Sequence, residues 1–182
     1  YEWQGYVPIS AMPHRFNPAE DWYGTANNHN IPEGYPNIFA DFYADPARGF
    51  RLQEVLSDTK DHSVQDSMAL QYDNKSMVAE KITPLFKPLI KSLIKAQKNR
   101  KSFKKAVERL SEWNHRMDRD SAAAAIYDQW ELAMLEDLKQ RLAPADSREV
   151  ITYVSKAKML EWLLEPPEFI FTREEDDFRE NS

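Results

Sequence analysis

Apolar residues recur at helical spacing along most of the chain beyond Arg51 and lose that regularity before it. Ser63 precedes Val64, Met68, Val78 and Ile82, which fall roughly on one helical face. Asp66 occupies the capping-box position three residues after Ser63. Thr83-Pro84 predicts a break and a restart, with Thr83 as cap and Pro84 at the first helical position. Leu85, Phe86, Leu89, Leu93 and Ile94 continue the apolar stripe, which Pro88 would kink. A further helix is expected behind Ser102 as cap, from the spacing of Phe103, Val107 and Leu110. The clearest pattern follows Asp120-Ser121, where four alanines (Ala122 to Ala125) lead into Ile126, Trp130, Met134 and Leu138 at every fourth position. Those alanines would let a neighbouring element approach closely. A last helix is predicted from Arg148 to Leu164, stopped by Pro166-Pro167, and the charge run Arg173 to Asp177 reads as a mobile tail.

The first part of the chain has another character. All four glycines and six of the eleven prolines lie within the first 49 residues. Such punctuation predicts turns, extended pieces and irregular backbone. Tyr1 to Tyr6 and Asp21 to Ala26 are the best short strands or extended segments, and a helix is expected from Pro46 to about Leu56 with Asp45 as cap. The fold class is therefore mainly α, a helical segment with a short irregular or β N-terminal part. Three divisions follow: a loop- and strand-rich part over 1–62, a helical part over 63–165, and an acidic tail over 166–182.

Composition narrows the chemistry. A chain of 182 residues with 42% hydrophobic and 12% aromatic content can build a core. The net charge of −6 argues against general nucleic-acid binding, which needs a basic footprint. No apolar run approaches the roughly 20 residues of a membrane helix. Without cysteine there is no disulfide, thiol nucleophile or thiolate metal site, and the compartment stays open. Tyr1 stands where an initiator would, without a charged–apolar–small pattern behind it, so a processed or excised chain lacking a secretory signal is expected.

The most informative chemistry lies in Trp22-Tyr23-Gly24-Thr25-Ala26-Asn27-Asn28, followed by Tyr35-Pro36 and Arg48-Gly49-Phe50-Arg51. A primary amide on irregular backbone can present N–H to a developing negative charge, with an arginine holding it in place. The same pair of asparagines can equally be turn residues bonding local backbone, and Arg48 can equally be a surface residue at a helix start. His14, His29, His62 and His115 are scattered without metal-ligand spacing, and Asp118 and Asp120 suit loop and cap positions. Lys87, Lys91, Lys95, Lys98, Arg100, Lys101, Lys104 and Lys105 form a basic band that suits a solvated helix face. Trp22, Tyr23, Phe39, Phe42, Tyr43 and Phe50 are candidates for an acyl pocket or for core packing.

Taken in order, Trp3, Gly5, Tyr6 and Pro8, then Met12-Pro13, Asn17-Pro18, Thr25-Ala26-Asn27-Asn28, Tyr35-Pro36, Arg48, Arg51-Leu52, Ser63-Val64 and Asp66, Leu110 with Trp113-Asn114, and Asp120 to Ala124 resemble the penicillin amidase (penicillin acylase) family of N-terminal-nucleophile hydrolases. The resemblance covers about residues 1–140 and implies an origin in an αββα fold. In that family a serine or other small nucleophile opens the large subunit after autocatalytic cleavage. Its free α-amine serves as base, and an acyl-enzyme forms and is hydrolysed. The resemblance assigns the oxyanion donor to Asn27 and the arginine that orders the site to Arg48.

The family's nucleophile lies upstream of Trp3, and Ser10 is internal without a free amine. The chain is therefore expected to be a downstream piece of the large subunit and inactive by itself. Its partners would be the small subunit and the N-terminal part of the large subunit, with an acylated β-lactam or an acyl homoserine lactone as substrate. Exposed helix faces would favour self-association of the isolated chain. The resemblance also implies a bacterial periplasmic or secreted location. Calcium, bound by several members, is a prospect for the intact enzyme only. The acidic ligand after Tyr35-Pro36 has no match here, since Phe39 stands near that place and Asp41 is merely a neighbour. The alternative from another functional class is a non-catalytic helical binding or scaffold module that retains the family sequence.

Overall fold

A computed structural model describes residues 5–40, 43–85, 100–142 and 153–167. The described chain is mainly helical. After a 3-10 turn at Ile9–Ala11 come α1 (Ala47–Asp58), α2 (Val64–Gln71), α3 (77–85), α4 (Arg100–Ser111), α5 (Ala122–Leu142) and α6 (Lys156–Leu164). Among the described residues the only β-type pairing is an isolated antiparallel bridge between Lys75 and Arg116, so the stretch from Asp21 to Ala26 joins no sheet there. The chain divides into two compact units, Tyr1–Tyr72 and Asp73–Ser182.

In the N-terminal unit, α1 starts where Asp45 accepts the Ala47 N–H through Oδ1 at 2.9 Å. Helix α2 starts with the capping box legible in the sequence. Ser63 Oγ accepts from Asp66 N at 3.1 Å, and the Ser63 N–H donates to Asp66 Oδ2 at 2.8 Å. Hydrogen bonds from the Ser63 hydroxyl and then its N–H hold the Asp66 carboxyl below the usual range. The α2 helix ends at Gln71, so Val64 and Met68 do not share a helical face with Val78 and Ile82. The first two are exposed, whereas the latter two are buried on α3. No described residue of this unit is fully buried.

The C-terminal unit holds the core. Ala79 of α3, Trp113, and Ala123, Ala124 and Tyr127 of α5 form a buried cluster flanked by Leu110, Met117 and Trp130. Two of the four alanines thus give α5 its close approach, as their small side chains suggest. Trp113 donates Nε1–H to the Arg116 carbonyl at 2.9 Å, and its ring lies 5.3 Å from that of Tyr127. The Lys75–Arg116 bridge brings segment 73–76 beside 114–118. Ser76 N donates to His115 O and Met117 N to Asn74 O, while Arg116 pairs with Asp73 and Asn74 donates to Asp118. Ser121 Oγ caps α5 by accepting from Ala124 N at 3.2 Å.

Besides the break between α2 and α3, and the cap of α5, which is Ser121 rather than the expected Asp120, three helix boundaries differ from expectation. Thr83 and Pro84 do not restart a helix: α3 runs through both, and the Thr83 hydroxyl bonds back to the Ala79 carbonyl of the preceding turn. Ser102 is inside α4 rather than its cap. The last helix begins at Lys156, because residues 153–155 are non-helical and Ser155 Oγ caps it by accepting from Lys158 N at 3.1 Å. The stripe from Phe86 to Ile94, the kink at Pro88, the basic residues Lys87 to Lys98, the start at Arg148 and the tail from Arg173 all lie outside the described residues.

Candidate functional site

One face of α1 organises the Asn-Asn segment. Arg48, Gly49, Leu52 and Leu56 recur at helical spacing and meet residues 24–28, which run in the opposite direction. A Cβ on Gly24 would lie 2.6 Å from Leu52 Cδ2 and 3.6 Å from Leu56 Cδ1, so the glycine seats the loop on these two leucines. Farther along, Arg48 Nη2 donates to the Ala26 carbonyl at 2.9 Å and to Asn27 Oδ1 at 3.0 Å. The Asn27 carbonyl accepts from Ala44 N at 2.8 Å.

Asn27 adopts the left-handed conformation, with φ of 62°. Asparagine tolerates that region better than most residues, because its short amide can bond locally. The arginine also fixes the amide's orientation. A guanidinium has only donors, so oxygen must face it and the Asn27 Nδ2 must point the other way. Among the described residues that Nδ2 has no acceptor, and Asn27 and Arg48 are both exposed. The two residues singled out from sequence are thus in direct contact, with an N–H group left available for an external oxygen.

Asn28 takes the other face of the turn. Its Oδ1 accepts from Ala26 N at 3.1 Å, its Nδ2 donates to the His29 carbonyl at 3.2 Å, and its side chain is half-buried. The His29 ring packs edge-on against Tyr43 at 4.6 Å. Of the aromatic candidates, Tyr23, Phe39 and Phe50 are exposed and Trp22 and Tyr43 half-buried, whereas Phe42 lies outside the described residues. Arg51 pairs with Glu54 one turn along α1.

The chain matches the penicillin amidase family profile over residues 1–181. The chain belongs to the penicillin amidase family. It is 34% identical over 149 residues to an acyl-homoserine lactone acylase, QuiP, of Pseudomonas fluorescens Pf0-1, covering 77% of this chain and 18% of that protein. A protein of the same name from Pseudomonas syringae pv. tomato is 30% identical, covering 77% of this chain and 17% of its own length. Penicillin acylase 2 proenzyme of Pseudomonas sp. SE83 is 27% identical over 135 residues, covering 74% of this chain and 16% of that protein. The chain thus spans less than a fifth of the length of these penicillin amidase relatives.

Calcium fits the described residues poorly. No group of three or more His, Asp or Glu side chains converges among them, and Asp41 lies outside them. One carboxylate does not supply the six to eight oxygens of a calcium site.

A second polar constellation, outside the acylase motifs, was not legible in the sequence. Glu131 on α5 is buried, accepts from Tyr127 OH at 2.9 Å through Oε1, and pairs with Lys156 of α6 through Oε2. Burial, followed by the charge of Glu131, pushes the Tyr127 phenol far above its ordinary value. Of Ile126, Trp130, Met134 and Leu138, only Leu138 is buried; the buried face of α5 runs through Ala124, Tyr127, Glu131 and Leu138, and the other three are half-buried.

Proposed function

We propose that this chain is part of an acylase that cleaves linear amides through an acyl-enzyme, with the attacking nucleophile contributed by polypeptide outside these 182 residues. Asn27 serves as oxyanion donor in this scheme. When a nucleophile adds to the scissile carbonyl, charge collects on its oxygen, and the Asn27 Nδ2–H donates to it. Arg48 is a positioning residue: by taking Asn27 Oδ1 and the Ala26 carbonyl on one nitrogen, it fixes the donor before charge develops. The observation that carries this reading is the Asn27 amide, locked by its oxygen while its N–H has no acceptor among the described residues.

The acyl-homoserine lactone and penicillin acylase names of the relatives point to an N-acyl substrate, and acyl homoserine lactones are the first class to try. The rest of the acylase would complete the cleft over the exposed Asn27 and Arg48, in a bacterial periplasmic or secreted enzyme. The test is hydrolysis of N-hexanoyl- and N-dodecanoyl-homoserine lactone and of a phenylacetyl p-nitroanilide. The complete gene product is expected to release amine from at least one probe, and the 182-residue polypeptide from none. A complete, correctly processed protein inert toward all three, yet binding a macromolecular partner, would favour the scaffold alternative instead.

A further inference from the structure

We propose that Asn28, braced by Gly49, is a positioning residue that holds the backbone on which the Asn27 donor stands. This inference rests on the oxyanion reading of Asn27. The two asparagines are adjacent in sequence but opposite in setting: Asn27 is exposed, whereas Asn28 is half-buried with both ends of its amide engaged. The Asn28 oxygen takes the N–H of Ala26 and its nitrogen gives to the His29 carbonyl, so one side chain clasps the backbone on both sides of Asn27. Arg48 acts on the Ala26 carbonyl and Ala44 N on the Asn27 carbonyl, which leaves the Ala26 N–H to Asn28.

Gly49 makes this clasp possible. A Cβ there would lie 2.5 Å from Asn28 Oδ1, 2.6 Å from its Cγ and 3.0 Å from its Nδ2, so any side chain would displace the amide. Helix α1 thus presents Arg48 to one asparagine and a bare backbone to the next. A left-handed non-glycine residue relaxes toward commoner backbone angles when its restraints are removed. Relaxation at position 27 would swing the donor away from the oxyanion without abolishing the Arg48 contact.

The test is steady-state kinetics on the complete enzyme with whichever of the three amide probes turns over fastest, comparing Asn28→Ala, Asn28→Asp, Gly49→Ala, Asn27→Ala and the Asn27→Ala/Asn28→Ala double variant. Rates are referred to folded enzyme measured by circular dichroism. Asn28→Ala and Gly49→Ala are expected to lower kcat by roughly 10- to 100-fold with little change in KM, as misplacement of a catalytic group does. Asn28→Asp, which keeps an oxygen for the Ala26 N–H, is expected to recover part of that loss. The double variant is expected to be no slower than Asn27→Ala alone, because Asn28 acts through Asn27. A normal kcat for both Asn28 variants, or losses that multiply in the double variant, would overturn the positioning role while leaving Asn27 in place. A full rate for Asn27→Ala would instead remove the oxyanion reading, and this inference with it.

Discussion

Arg48 Nη2 lies 3.0 Å from Asn27 Oδ1, although 21 residues separate the two in sequence. The same nitrogen also reaches the Ala26 carbonyl, so one cation constrains an amide side chain and the peptide that precedes it. An arginine fork can hold both acceptors in its plane, whereas an ammonium is a compact point charge. Arg48→Lys is therefore expected to lower kcat of the complete enzyme by about 10-fold, and Arg48→Ala by more. Folding should be little affected, since Arg48 is exposed. Equal kcat in the lysine and wild-type enzymes would show that the fork geometry is immaterial.

The seat of the loop on α1 makes a stability prediction. Gly24→Ala forces a methyl group against Leu52 and is expected to cost about 1–3 kcal/mol, as overpacking does. Adding Leu52→Ala should relieve part of that cost, because the clash is with the end of a flexible side chain. Urea denaturation of the single and double variants checks this. Simple additivity of two losses would show that the contact is not close.

How much of this was legible in the sequence depends on how far each cause reaches along the chain. Ser63 with Asp66 announces its cap because the partners lie within one turn, whereas the cap of α5 falls on Ser121, one residue beyond the expected Asp120. Thr83-Pro84 misled for the same local reason: the pair suits a helix start, yet α3 continues through it with the threonine hydroxyl bonded inward. Asn27 and Arg48 stood out through the ordered motifs around them. Asn28 was legible as half of a pair able to bond local backbone, which it does; the part of Gly49 was not, because a glycine in a helical stretch carries no mark of what it approaches. Nothing in the sequence marked Glu131, its cation being 25 residues distant.

The Glu131–Lys156 pair ties α6 to α5, and the carboxylate is buried while the ammonium is half-exposed. Lys156→Met would leave Glu131 with Tyr127 as its partner in this pair of contacts. The expected loss is about 3 kcal/mol, the cost of a buried charge deprived of its counter-ion. Glu131→Gln in the same background should restore much of it, since the neutral amide no longer needs a cation and still accepts from Tyr127. Denaturation midpoints of the three proteins decide; no loss for Lys156→Met would show that water already serves the carboxylate.

His115 makes the C-terminal unit sensitive to acid. Thr83 gives its single hydroxyl proton to Ala79, so it accepts from His115 Nε2 at 2.8 Å. Burial lowers the imidazole from its ordinary 6.5, with Glu80 opposing and Lys75 adding to the shift. The unfolded chain therefore binds this proton more readily than the folded one. Stability from this group is present above pH 6.5 and is lost as pH falls through the lower folded value. His115→Gln should flatten that slope in denaturation measured across the interval, and an unchanged slope would assign it to other groups.

The central claim concerns what the Asn27 N–H does during bond formation. The direct measurement is the single-turnover acylation rate of the complete enzyme carrying Asn27→Ala, with folding and processing of the variant verified. Loss of one oxyanion donor predicts a rate lower by ~10²–10³, with substrate binding largely retained. An acylation rate equal to that of the unaltered enzyme would contradict the account.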